Sequence, residues 1–179
     1  MLKSFKIGSL LLAHNVVLAP LAGITNLPFR LMCRHEGASL AFTEMVSVNG
    51  LVREGAGTLA LLKSCREDRP LGIQLFGDTP DDLAEAARMV DGYGDLLDIN
   101  MGCPVRKVVG TGAGSALLRD PQKIAAIVRA VRAATGMPLT VKIRYGWHCG
   151  DNTYLEIARI AQEEGCDAVT LHPRSRSQM

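Results

Sequence analysis

The sequence contains no Cys-x-x-Cys pair, and its five cysteines, at 33, 65, 103, 149 and 166, are odd in number. Neither a disulfide framework nor a zinc site is suggested, no metal is expected, and a reducing compartment fits. No stretch approaches the roughly 20 apolar residues of a membrane-spanning helix. The apolar run after Met1-Leu-Lys-Ser-Phe-Lys is interrupted by His14 and Asn15, with no small-residue cleavage site behind it, so a cytoplasmic protein is expected. Charge of one sign is scarce too: 20 Lys and Arg against 18 Asp and Glu give a net charge of +2, too little to mark a nucleic-acid binder by itself. Finally, no Gly-x-Gly-x-x-Gly follows the first apolar run, which weakens a dinucleotide-binding reading.

What remains is the composition of one packed domain, 179 residues with 47% hydrophobic and 21% charged side chains. Six short apolar runs, Val16–Ala19, Leu40–Thr43, Leu71–Phe76, Leu96–Ile99, Leu139–Ile143 and Ala168–Leu171, are bounded by Gly, Pro, Asn or Asp as buried strands are. Between them lie helix signals. Thr79-Pro80-Asp81-Asp82 offers an N-cap, a proline at the first helical position and two acids, ahead of Leu83, Ala86, Ala87 and Val90 on one face. Asp120-Pro121 repeats the device before Ile124, Ile127, Val128 and Val131. Asn152-Thr153 opens a third helix, which Gly165 stops. The pattern predicts an α/β protein of (β/α)8 barrel type with about six of eight βα units, and an N-terminal hairpin around Gly8-Ser9 plugging the barrel bottom.

In such a barrel the reactive groups stand at the C-terminal strand ends. Lys142, inside Leu-Thr-Val-Lys-Ile-Arg, is aimed inward by strand alternation, and a buried lysine is rare unless paired or functional, although a long stem can also reach solvent. Cys103 stands between Gly102, which allows close backbone approach, and Pro104, which favours an extended conformation; the alternative is inert packing. Gly110-Thr-Gly-Ala-Gly114 matches neither phosphate-loop spacing and reads as a mobile lid. Arg30, Arg106, Lys107, Arg144, Arg174 and Arg176 all fall at or just beyond predicted strand ends, a distribution that suits an anionic partner or is simply solvated surface.

Val17-Leu-Ala-Pro-Leu-Ala-Gly-Ile-Thr-Asn-Leu-Pro-Phe-Arg30, Thr43-Glu-Met-Val-Ser47, Gln74-Leu-Phe-Gly77, Asp98-Ile-Asn-Met-Gly-Cys-Pro104, Gly112-Ala-Gly-Ser-Ala-Leu-Leu118 and Val141-Lys-Ile-Arg144 resemble, in order, the motifs of the tRNA-dihydrouridine synthases. The resemblance implies an FMN-dependent barrel, followed by a helical tRNA-binding domain, that reduces uridine in tRNA to 5,6-dihydrouridine with NADPH as electron donor. It implies that Pro20, Leu21 and Ala22 line the flavin, that Gln74 and Lys142 hydrogen-bond its ring, and that His172 approaches it. Asn100, Arg144 and Arg174 would contact the substrate, with Leu21 standing where the family commonly has methionine. Cys103 would be the general acid, delivering a proton to C5 of the base opposite the hydride, because a thiol is mostly protonated near neutral pH.

A complete barrel needs about 250 residues. Residues 1–179 are therefore expected to form a partial FMN-binding barrel, truncated after the sixth strand, without the helical domain. Its open edges and exposed interior would leave this chain inactive by itself. A monomer is expected for the complete form. The alternatives are another FMN barrel oxidoreductase of dihydroorotate dehydrogenase type, a Schiff-base aldolase using Lys142, or a nonenzymatic fragment.

Overall fold

A computed structural model of the protein describes residues 3–178. All six predicted strands form: β3 (Val17–Leu18), β4 (Leu40–Phe42), β6 (Leu71–Phe76), β7 (Leu96–Met101), β8 (Leu139–Arg144) and β9 (Ala168–His172). A further short strand, β5 (Val46–Ser47), pairs with the end of β6 and was not foreseen, because two residues carry no readable alternation. The main strands are parallel and lie side by side in chain order, β3-β4-β6-β7-β8-β9. Sequential order distinguishes a barrel from a doubly wound sheet, where the order reverses. The sheet is curled, since the two edge strands, β3 through Val17 and β9 through Ala168 and Thr170, border one cavity. No pairing joins β3 to β9 among the described residues, so the barrel is open on that side.

The helices are α1 (Leu27–His35), α2 (Val48–Val52), α3 (Ala56–Ala60), α4 (Pro80–Met89), α5 (Arg106–Val109), α6 (Pro121–Ala134) and α7 (Thr153–Glu163). The Asp120 carboxylate caps α6 by accepting from Lys123 N at 3.0 Å. Thr79 starts α4 differently from expectation: its hydroxyl donates to Asp82 at 2.5 Å rather than capping a backbone amide. Gly165 ends the turn after α7 at φ +95°, the left-handed conformation that glycine adopts without cost.

Strand alternation divides the molecule. Leu71, Ile73 and Leu75 of β6, Leu97, Ile99 and Met101 of β7, and Leu139, Val141 and Ile143 of β8 face outward, where they join Leu83, Ala87, Ile124, Ile127, Val128, Val131 and Ile157 from the helices in one continuous core. Each of the Val, Leu, Ile and Met side chains among them contributes about 1.5–3 kcal/mol by leaving water. The inner face carries Gly72 and Gln74, then Asp98 and Asn100, then Thr140, Lys142 and Arg144, and is polar from its middle upward. Its lower end is closed by the hairpin β1 (Phe5–Ile7) and β2 (Leu10–Leu12), which turns at Gly8. Ile7 and Leu12 pack there against Leu40, Phe42 and Leu96, so the predicted plug is present. The Phe42 ring lies across Gly72, where an added Cβ would come within 2.4 Å of it.

Candidate active site

The inner face is built in lateral rows, because parallel register sets side chains of neighbouring strands level with one another. Gln74, Asp98, Thr140 and Ala168 form one row, and Asn100, Lys142 and Thr170 form a second row above part of it. Arg144 and His172 pair in a third, towards the mouth. Sequence reasoning singled out members of all three rows but missed Asp98 and Thr140. The readable signal was a carboxylate inside the apolar run Leu96-Leu-Asp-Ile, a burial that needs a polar counterpart.

Asp98 is fully buried and accepts two hydrogen bonds, from Gln74 Nε2 at 2.6 Å and from the Thr140 hydroxyl at 2.6 Å. Burial raises its pKa to about 6, against the lowering effect of those two donors and of the Lys142 charge. On the far side of Gln74, Oε1 accepts from Asn100 Nδ2 at 2.9 Å, and Asn100 Oδ1 accepts from the backbone N–H groups of Cys103 at 2.9 Å and Gly102 at 3.2 Å. Gln74 N in turn donates to the Thr43 hydroxyl at 3.1 Å.

Lys142 projects from β8 into a cavity of about 270 Å³ that it shares with Val17, Ala19, Pro20, Phe42, Asp98 and Thr170. Desolvation lowers its pKa, the Asp98 carboxylate raises it and Arg144 lowers it again. His172 is likewise held below its usual pKa, first by desolvation and then by Arg144, Lys142 and Arg174, which favours its neutral form. Pro20 lines the cavity, while Leu21 and Ala22 continue into the exposed turn above it. That turn is fastened by Leu21 N to Thr25 Oγ1 at 3.1 Å and by Gly23 N to the Glu44 carboxylate.

Four placements differ from the sequence reading. Gln74 reaches the expected strand end but is fully buried with both amide atoms engaged, so it faces its polar neighbours rather than the cavity. Cys103 does not line the Lys142 cavity; its side chain sits among Met45, Phe76, Val108 and Ala113 on the neighbouring flank of the mouth. Arg30 leaves the basic rim altogether, buried in a pair with Asp68 at 2.7 Å and donating to Thr25 O at 2.7 Å and Lys63 O at 2.9 Å. The glycine-rich stretch is packed in its second half rather than forming a free lid: Ala113 and Gly114 are buried and a Cβ on Gly114 would stand 2.7 Å from Cys103 O, while Gly110 and Thr111 are exposed.

Arg144 donates to Gly102 O at 2.7 Å and to Ser175 O at 3.1 Å, joining the Cys103 loop to the turn after β9. Arg174 is exposed just past β9. Arg119 and Arg176 both lie against the Trp147 ring, 5.0 and 4.9 Å from its centroid, in the loops beyond the strand ends. The other cysteines take no part: Cys166 packs against the core with its pKa pushed up to about 12 by burial, and Cys149 is exposed in a loop. No group of three potential metal ligands occurs among the described residues, and no helix there is long and apolar enough to cross a membrane.

An open TIM-type barrel with a lysine, a polar row and a thiol around its C-terminal mouth defines a class. The model of the dihydrouridine synthase (Dus) family matches residues 17–179, and the chain belongs to that family. It is 44% identical over 174 residues to tRNA-dihydrouridine synthase B of Xanthomonas axonopodis pv. citri, covering 97% of this chain and 52% of that protein. It is 43% identical to tRNA-dihydrouridine synthase B of Pasteurella multocida, over 97% and 53% of the two chains. A probable tRNA-dihydrouridine synthase of Rickettsia conorii is 39% identical over the same shares. The chain therefore spans about half the length of the curated relatives it matches.

Proposed function

We propose that this chain forms the flavin-facing wall of an enzyme that reduces uridine in tRNA to 5,6-dihydrouridine. The observation that carries this reading is Lys142: a half-buried ammonium, level with Asn100, directed from the sheet into an otherwise mainly apolar cavity bordered by Pro20. A lysine in that setting lacks the solvent that usually stabilises its charge, and an electron-rich ring edge would supply the missing partner. The residues present fit FMN at Lys142 and Pro20, with Ala22 above them and His172 towards the mouth, whereas Gln74 acts from behind through its neighbours.

FMN bound there, recharged by NADPH, would supply the hydride to the base. The chain's own part is positioning and proton delivery. Lys142 would stabilise negative charge at the ring edge, His172, favoured in its neutral form, would add a donor there, and Asn100 holds the loop that carries Cys103. The Cys103 thiol gives its proton to C5 of the base. Arg174, Arg176, Arg106 and Lys107 supply the cations that hold a phosphate backbone while the base is drawn out of its stack. Because the cavity is open along the β3 and β9 edges, it excludes water poorly, and turnover by this chain alone is expected to be slow.

Two measurements test the reading. Titration of FMN into the full chain should quench flavin fluorescence saturably, with Lys142→Met weakening binding. Cys103→Ala should leave FMN binding intact and reduce dihydrouridine formation in unmodified tRNA by about 10²- to 10⁴-fold, the usual contribution of a general acid. Absence of saturable quenching would remove the flavin site, and an undiminished product yield in Cys103→Ala would remove the proton donor. Reduction of free pyrimidine bases in preference to tRNA would instead favour a dihydroorotate-type oxidoreductase.

A further inference from the structure

Thr140, Asp98, Gln74, Asn100 and the backbone at Gly102 and Cys103 form one unbroken hydrogen-bonded series across three strands, with steps of 2.6, 2.6, 2.9 and 2.9 Å, and a 3.2 Å branch to Gly102. Its two ends fix its direction. An ionised carboxylate only accepts, so Gln74 must turn its NH₂ towards Asp98 and its oxygen towards Asn100. A backbone N–H only donates, so Asn100 must turn its oxygen towards Cys103 and its NH₂ towards Gln74. Both ends demand the same orientation of the two intervening carboxamides, and each amide polarises the next in a site shut off from water.

We propose that Asp98 is a positioning residue for Cys103, acting through the carboxamides of Gln74 and Asn100 to hold the thiol-bearing loop at the end of β7. Protonating or removing the carboxylate takes away the constraint at one end, so that the Gly102 and Cys103 amides alone fix the two carboxamides and the hold of Asn100 on the Cys103 amide weakens. The other titratable groups facing Asp98 are Lys142 on β8 and the Cys166 thiol before β9, which stays neutral; β6 and β4 present Gln74, Gly72 and Phe42. The ordinary reading of Asp98, a buried residue that merely stabilises the sheet, predicts no communication with Cys103. The role for Asp98 rests on Cys103 being the proton donor, whereas the coupling itself does not.

The coupling is tested by ¹H–¹⁵N spectra of the full chain recorded between about pH 4.5 and 8. The side-chain amides of Gln74 and Asn100 and the backbone N–H of Cys103 should shift with one shared midpoint. Thr140→Val, which removes a donor to the ionised carboxylate, should move all three midpoints upward together. Asp98→Asn should make all three insensitive to pH. If that variant does not fold, the native titration and Thr140→Val still decide. In a second readout, Gln74→Leu should raise the rate of Cys103 alkylation by iodoacetamide about tenfold relative to the exposed Cys149, as the loop opens more often. Separate midpoints at Gln74 and Cys103, or an unchanged alkylation rate in folded Gln74→Leu, would overturn the proposal. Neither readout needs flavin or tRNA, so a failed FMN titration would remove the reaction without touching the coupling, and separate midpoints would remove the coupling without touching the flavin result.

Discussion

Asp68 and Asp98 are both fully buried aspartates, and the structure treats them in opposite ways. Asp68 receives Nε of Arg30 at 3.0 and 3.2 Å, Nη2 of Arg30 at 2.7 Å and the Ser64 hydroxyl at 3.0 Å, so its charge has a counter-charge in direct contact. Asp98 receives only neutral donors, and the Lys142 charge acts on it from the row above without a direct bond. A closed ion pair is inert and ties α1 to the turn before β6. An incompletely compensated carboxylate beside an incompletely compensated ammonium is poised to respond to a ligand or a proton.

The comparison can be broken most forcefully at its closed member. Asp68→Asn leaves Arg30 buried without its counter-charge and should destabilise the chain by about 3–5 kcal/mol in urea unfolding. A loss below about 1 kcal/mol would mean that water reaches Arg30 after all.

At Asp98 the effect should depend on pH. Its folded pKa of about 6 lies above the ordinary 3.8, so the folded state holds this proton more tightly than the unfolded one. Its contribution to stability is full below pH 3.8 and lost as pH rises through 6, a change of at most about 3 kcal/mol. Asp98→Asn should flatten the stability profile between these limits. A variant with the same slope as the native chain would assign the titration to another group.

Thr140→Val should cost about 1.5–3 kcal/mol above pH 6, where the hydroxyl serves a charged acceptor, and much less at pH 4. Denaturation curves at the two pH values separate these cases. Smallest is Gly8→Ala, away from either carboxylate. Gly8 sits at φ +55°, and a Cβ there would meet Asp167 Oδ1 at 2.7 Å, so a loss of roughly 1–2 kcal/mol is expected from the left-handed backbone. It should leave the Asp98 titration unmoved.

The six main strands, helices α4, α6 and α7 and the plug were legible because each depends on residues close in sequence: an apolar run between turn residues, a proline start, a glycine stop. Lys142 was legible as well, since alternation alone places it on the inner face. What escaped depended on partners far along the chain. Arg30 follows a strand end and so looked like part of a basic rim, yet its fate is decided by Asp68, 38 positions later. Gln74 looked like a ligand contact because its row neighbours, 24 and 26 positions on, cannot be seen from its own strand. Asp98 stood in plain view, but whether a buried acid is paired or isolated is a fact about register between strands.

Gly72 and Phe42 deserve to be treated as one choice rather than two. The ring occupies the space that a side chain at 72 would need, so alanine at 72 is tolerable only with something slimmer at 42, and a slimmer residue at 42 leaves a void unless 72 grows. Among natural variants of this fold the two positions should therefore change in step. Phe42 and Asp98 border the same cavity, so an exchange at this pair that let water in would retune the acid as well.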